Sequence, residues 1–443
     1  MGGHAGHAPR RADGGDLRDG GVGAPLRFIV AAMRSVLLAL AVGSALVLPA
    51  ASRAEEAPAA EPIAWDAAAL DRMVRAVADH HRLAAAGGWP LVPDGPSIRP
   101  GMGDPRLPAI RRRLAASGDL AADAAASTAP AADEALMAAT RRFQERHGLV
   151  VDGIIGRRTV ATMNITAAVR AEQLSLGYDR LRALAKRLPA TGVVINIPAA
   201  SLQLMENGRV VLTSRVIVGR PDWPTPELDS EIGEIEVNPY WTVPARIVRR
   251  ELLPRIAADP RFLAANRMRV LNGNGGGEVG AEKVDWTRFL ALGYRLRQEP
   301  GLDNPLGTVK FLFPNPYDVY LHDTPAKRLF GRAGRAFSHG CVRVNRAFDL
   351  AARLLRGDPA WTAGDLRAAI DGGRTRRVRL ARPVPIRTVY LTAWAAADGA
   401  VQFRPDLYGR DAAESRPRAA PPQLAACGAG PAPTAPATAE GAE

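Results

Sequence analysis

The 443-residue chain has only two cysteines and seven histidines, yet His322, His339 and Cys341 fall within one short stretch. The run Ser338-His339-Gly340-Cys341-Val342-Arg343 sets a thiol two residues after one imidazole, with a second imidazole upstream. A thiol attacks well only as the thiolate, and imidazole is the usual group that takes its proton. These residues therefore fit nucleophilic catalysis, with Cys341 as nucleophile and His322 as base. Backbone N–H groups around Gly340 and Cys341 would bind an oxyanion, and Gly340 lets the main chain approach a substrate closely. His339 would polarise the site or orient the substrate. Arg343, with Arg297 as a second candidate, would hold a carboxylate through a bidentate pair. Each residue alone has a plain structural use, as a small buried thiol, a turn imidazole or a surface ion pair. Their grouping is what argues for chemistry.

Zinc uses the same residue types, but a His and a Cys two positions apart match none of the usual zinc clips, so no metal or other cofactor is expected. The glycine-rich run 272–277 lacks the flanking strand and helix of a phosphate loop. Papain-like peptidases place Cys before His in the chain, whereas here His322 precedes Cys341.

The elements around the motif are strands. Runs at 193–197, 201–205, 210–212 and 214–219 alternate or are rich in β-branched residues, and Asn207-Gly208 reads as a hairpin turn. Further strands fall at 308–313, 319–322, 389–394 and 400–403, and a helix at 347–355 follows the Cys motif. His322 would stand at a strand end with Leu321 pointing the other way. An insertion at 244–296, with helices at 244–256 and 261–265, suits a lid beside a site.

Upstream, apolar residues recur at helical spacing from 65 to 86. A small helical module spans 105–166, with helices at 107–114 and 134–147 and a loop at 119–133. A linker helix fills 167–188. Residues 33–50 and the small-residue site Ser52-Arg53-Ala54 read as a secretion signal, with Met33 as an alternative start and an uncleaved membrane anchor as the competing reading. A Pro/Ala-rich tail carrying Cys427 closes the chain and reads as disordered. The net charge of +13 favours polyanions, but no Lys/Arg block with interleaved aromatics appears, so nucleic acid is not an expected partner.

The run Tyr320-Leu321-His322-Asp323 … Ser338-His339-Gly340-Cys341-Val342-Arg343 resembles the L,D-transpeptidases, the YkuD-like peptidoglycan cross-linking enzymes. Supporting stretches are Val218-Gly219-Arg220-Pro221 … Thr225-Pro226, Asn238-Pro239-Tyr240-Trp241-Thr242-Val243-Pro244, Arg297-Gln298-Glu299-Pro300-Gly301 and Phe403-Arg404-Pro405-Asp406-Leu407-Tyr408-Gly409. The run Phe143-Gln144 … Gly148-Leu149 … Asp152-Gly153 … Gly156 … Thr159 resembles a peptidoglycan-binding domain. The resemblance implies a multidomain α+β protein: a mainly-β catalytic sandwich at 191–410 with a helical lid at 244–296, and a small α-helical binding module at 105–166. Segments 1–54, 55–104, 167–190 and 411–443 would be signal, scaffold, linker and tail. It further implies that Cys341 is acylated by a donor stem peptide with release of D-Ala, and that a second stem's amine completes a 3→3 cross-link. His322 would be the base, and His339, Gly340 and Cys341 would shape the oxyanion site. Ser338, Tyr320, Arg343 and Trp241 would line it. Partners would be donor and acceptor stem peptides and wall-anchored outer-membrane proteins, in the periplasm. The alternatives are a hydrolase of the same fold (an L,D-carboxypeptidase or amidase) or a non-catalytic wall-binding scaffold.

Overall fold

A computed structural model describes residues 63–273 and 276–414. The expected secretion signal with its alternative Met33 start and the tail with Cys427 lie outside the described residues.

At Gly192 β-branched runs replace alanine-rich helices. Strands β1 (Gly192–Asn196), β2 (Ser201–Glu206), β3 (Arg209–Gly219) and β4 (Leu228–Val237) follow in order. The insertion and the residues that flank it supply β5 (Trp241–Thr242), β6 (Met268–Leu271), β7 (Glu278–Val279) and β8 (Arg295–Gln298). The chain then returns through β9 (Val309–Leu312), β10 (Leu321–His322), β11 (Ala336–Ser338), β12 (Val342–Val344) and β13 (Arg376–Val389), and ends in the hairpin β14 (Ala393–Ala395) and β15 (Val401–Phe403). The main sheet runs β11-β3-β12-β10-β9-β4-β13-β1-β2, and β2 also pairs with β3. The first half of β3 pairs with β2, up to Ser201↔Arg215, and its end pairs with β12 at Ile217↔Arg343. One strand thus serves two faces, and the sheet folds around a single apolar core of Val193, Ile195, Val216, Ile235, Phe311 and Leu321. Burying each such side chain stabilises the fold by about 1.5–3 kcal/mol.

Strands β4 and β13 are additions to the sequence reading, which places none at 228–237 or 376–389. Their outward positions carry opposite charges in register, with Arg377↔Glu236, Arg379↔Glu234 and Arg387↔Asp229. Such cross-strand pairs support pairing while hiding the apolar alternation. In β1 every residue is buried, because Val193 and Ile195 face the sheet core while Val194 faces a helical layer. That layer is α1 (Ala69–Ala85) against the long helix Ala167–Ala185, which together bury Met73, Val77, Leu174 and Leu181. The second helix is therefore a packed element of the β domain. A Cβ at its Gly177 would come within 2.4 Å of the Ala393 carbonyl oxygen, so only glycine permits the approach.

Between these two helices lies the small module, with α2 (Leu107–Ala116), α3 (Ala122–Ala125), α4 (Glu134–Arg146) and α5 (Arg157–Met163). The expected loop at 119–133 thus contains one short helix. Gln144 explains the motif read from the sequence. Its Nε2 donates to Asp152 Oδ1 and the Ile154 carbonyl (2.9 and 3.0 Å), and its Oε1 accepts from the N–H groups of Asp152 and Gly153 (3.1 and 2.8 Å). The motif is a buried clamp on the turn after α4.

His147 caps α4 and stacks between Phe143 and Phe403, with ring centroids 3.9 and 5.4 Å away. Its Nδ1–H donates to the Phe143 carbonyl (2.7 Å). Burial, reinforced by Arg146 and Arg170, holds its pKa well below the ordinary 6.5. The unfolded chain takes up this proton near pH 6.5 and the folded chain does not. Stability is therefore complete above that pH and falls as pH drops below it. We expect the thermal midpoint to fall between about pH 7 and 5, and His147→Gln to flatten that slope. An unchanged slope in the variant would show that other groups carry it.

The insertion carries strands beside the helices expected from the sequence. Strands β5–β8 form a four-stranded sheet of order β5-β8-β6-β7. Its helix, Ala245 to Ala258, widens into a π-turn at Val248–Leu252. Pro254 is the cause: it has no N–H for Arg250, and its ring would strike that carbonyl in a regular α-turn. Trp223, from the loop after β3, is buried in the insertion's apolar core with Ile247, Val248, Leu252 and Phe289.

Candidate active site

The register of two short parallel strands builds the site. Leu321 pairs with Val342, and His322 with Arg343. Side chains alternate along a strand. Leu321, Val342 and Val344 point into the apolar core. Tyr320, His322, Cys341 and Arg343 take the opposite face and line one cleft of about 760 Å³. Trp241, Pro244, Arg246 and Ile247 of the insertion region form a wall of the same cleft, with Trp223.

Gly340 turns the chain before the sulfur with φ of +110°, a conformation that favours glycine. Its carbonyl accepts from Thr225 Oγ1 (2.8 Å), which in turn accepts from the Gly219 N–H (2.9 Å). Tyr408 braces the same loop, donating to the Gly219 carbonyl (2.8 Å) and accepting from the Thr225 N–H (3.1 Å). Ser338 completes the turn: its hydroxyl donates to the Cys341 carbonyl (2.5 Å) and accepts from the Gly340 N–H (3.2 Å). The Gly340 N–H, expected among the oxyanion donors, is engaged by the Ser338 hydroxyl. Ser338 lines the cleft, but its hydroxyl is used to shape the turn.

His322 is buried, and its Nδ1 lies 2.5 Å from the Asp323 carbonyl oxygen. A carbonyl only accepts, so Nδ1 carries the hydrogen and Nε2 keeps its lone pair. Burial, then the charge of Arg343, lowers its pKa to about 3, so the ring is neutral at physiological pH. Asp323 is itself fixed, since its Oδ2 accepts from the N–H and hydroxyl of Thr308 (3.0 and 3.1 Å).

Cys341 is half-buried. Burial pushes its thiol up, while hydrogen bonds from Tyr320 and the charges of Lys310 and Arg343 pull the other way. Burial prevails, so the resting group is the thiol. Among the described residues its sulfur meets the Asp318 carbonyl at 3.9 Å and the Tyr320 phenol, and no hydrogen bond joins it to His322. Catalytic bonds in a substrate-free enzyme are often made only once the reacting groups are drawn together. Trp241 reaches the Tyr320 phenol, and Lys310 Nζ sits 4.2 Å from the centre of that ring. Arg343 and Lys310 both favour a neutral His322 and an ionised sulfur, the pairing a thiolate nucleophile needs.

Of the residues expected from sequence, Cys341, His322, His339, Gly340, Ser338, Arg343, Tyr320 and Trp241 share the cleft. Arg297 does not line it: it lies on β8 of the insertion, with its guanidinium 4.5 Å from the centre of the Tyr240 ring. His339 has a partner that the sequence did not suggest, Glu251 Oε1 at 2.6 Å. Lys310, Trp223, Thr225 and Glu251 were missed. Only Thr225 had a signal: it stands in the supporting stretch Val218-Gly219-Arg220-Pro221 … Thr225-Pro226, though no role was read for it. The others arrive from separate elements through folding alone.

Comparison with known proteins agrees with this geometry. Residues 190–361 match the YkuD family, described as L,D-transpeptidase catalytic domain, and residues 104–163 match a family described as "Putative peptidoglycan binding domain". The β-rich domain that carries the Cys341 cleft is thus similar to L,D-transpeptidase catalytic domains, and the helical module to peptidoglycan-binding domains. Among individual proteins, a Haemophilus influenzae protein named "Putative L,D-transpeptidase" is 35% identical over 241 residues, covering 54% of this chain and 48% of that protein. The chain thus spans about half the length of the curated relative it matches. An L,D-transpeptidase structure from Mycobacterium smegmatis is 14% identical and covers 45% of this chain and 58% of the other, with a TM-score of 0.22. One from Xylanimonas cellulosilytica is 15% identical and covers 67% of this chain and 98% of the other, with a TM-score of 0.21.

Proposed function

We propose that this protein is a periplasmic L,D-transpeptidase that forms 3→3 peptidoglycan cross-links through an acyl-thioester on Cys341. The observation that carries the reading is the β10–β12 register, which sets a neutral imidazole with a free Nε2 and a thiol on one face of one cleft. In the first half-reaction His322 Nε2 takes the thiol proton as the sulfur attacks the carbonyl of the third stem residue. A C–S bond forms, the C–N bond to D-Ala breaks, and the proton passes to the leaving amine. The Cys341 N–H would hold the oxyanion. In the second half-reaction an acceptor amine forms a new C–N bond, and the C–S bond breaks. Arg343, whose Nε is buried without a partner among the described residues, is suited to hold an oxygen of the stem peptide.

The test is incubation with a diaminopimelate-containing disaccharide-tetrapeptide, read by mass spectrometry. Cross-linked dimer and free D-Ala are the expected products. Tripeptide without dimer would instead assign the hydrolytic alternative, and no product at all the scaffold alternative.

A further inference from the structure

One carboxylate ties the insertion to the turn that carries the sulfur. Glu251 lies in the π-turn Val248–Leu252. Its Oε1 is 2.6 Å from His339 Nε2 and 3.9 Å from the Arg220 guanidinium. Both partners belong to the β domain. His339 sits two residues before Cys341, in the turn fixed by Thr225 and Ser338, and Arg220 N–H donates to the Ser338 carbonyl (3.0 Å). Trp223 reinforces the join. It meets His339 edge-on at 4.7 Å, and the Arg246 guanidinium stacks 3.7 Å from its ring centre. The Glu251 and His339 side chains are 32% and 22% exposed, so their contact adds little to stability. Their placement, between the insertion and the nucleophile turn, suits a different use.

We propose that Glu251 is a positioning residue that holds the insertion against the nucleophile turn while the acyl-thioester waits for its acceptor, and so sets the ratio of transfer to hydrolysis. This rests on the acyl-transfer reading above. Both outcomes start from one intermediate. With an amine, a C–N bond forms, the C–S bond breaks, and the proton shed by the amine returns to the sulfur through His322. With water, a C–O bond forms, the C–S bond breaks, a proton from the water returns to the sulfur through His322, and the tripeptide leaves with a free carboxyl. The ratio depends on how well the cleft wall at Trp241, Pro244 and Ile247 keeps water from the thioester. Glu251 fixes that wall through His339. The proton on His339 Nε2, donated to the carboxylate, also fixes the ring's tautomer next to the sulfur.

The experiment compares wild type, Glu251→Gln and Glu251→Ala with the disaccharide-tetrapeptide donor, measuring dimer and tripeptide separately and Cys341 acylation by intact mass. Glu251→Ala is expected to lower the dimer-to-tripeptide ratio by about tenfold while acylation slows by less than about threefold. Glu251→Gln keeps a neutral acceptor for His339 and should fall between the two. A ratio unchanged in both variants overturns the inference. So does an equal loss of acylation and both products in Glu251→Gln, which would mark a general structural role. If the wild type forms no adduct on Cys341, the acyl-transfer reading itself fails, and this inference with it.

Discussion

Cys341→Ala is expected to end D-Ala release, with a loss of at least about 10⁴-fold. No other described cysteine stands in the cleft, and the proposed reaction has no path around the sulfur. The same change should remove the mass adduct left by the donor and by a carbapenem, which the family resemblance leads us to expect on this thiol. The fold should survive. The side chain is half-buried, and the turn around it is held by Ser338, Thr225 and Tyr408 and not by the sulfur. Thermal unfolding should stay close to wild type, which separates lost chemistry from lost structure. Turnover that persisted in the alanine variant would remove the basis of the proposed function.

The second large effect belongs to His322. Replacement by alanine is expected to slow acylation by about 10²–10⁴-fold, the usual range for a general base. The pH profile gives a sharper test. A histidine at its ordinary value would impose a fall in rate near pH 6.5. Here the pKa is lowered to about 3, so the ring is ready to accept a proton across the whole neutral range. Carbapenem acylation should therefore show no downward inflection between about pH 5 and 7. It should rise on the alkaline side as the buried thiol ionises above its usual value. An inflection near 6.5 would mean that Arg343 and burial do not control this imidazole.

Much of the site was legible because its chemistry is local. Ser338 to Arg343 is one continuous run, and His322 lies on the neighbouring strand, so spacing and alternation sufficed to bring them together. The hairpin at Asn207-Gly208 and the Gln144 motif were legible for the same reason, since each carries its own turn chemistry. What stayed hidden depends on distance. Glu251 and Trp223 reach His339 from elements far apart in sequence, and nothing in their local context marks them. Strands β4 and β13 were obscured by their facing charges. Arg297 misled because a basic residue in a family-like stretch reads as a substrate clamp, whereas β8 directs it to Tyr240.

The ring of Pro254 has a consequence for anyone redesigning this protein. It forces one surplus residue into the helical turn ahead of it. A replacement such as alanine would allow that turn to tighten, and every side chain on its upstream side would then swing by about 100° around the axis. A carboxylate four positions from one end of such a slip cannot keep its old neighbours. A single exposed-looking proline thus works as a phase setting for the whole cap.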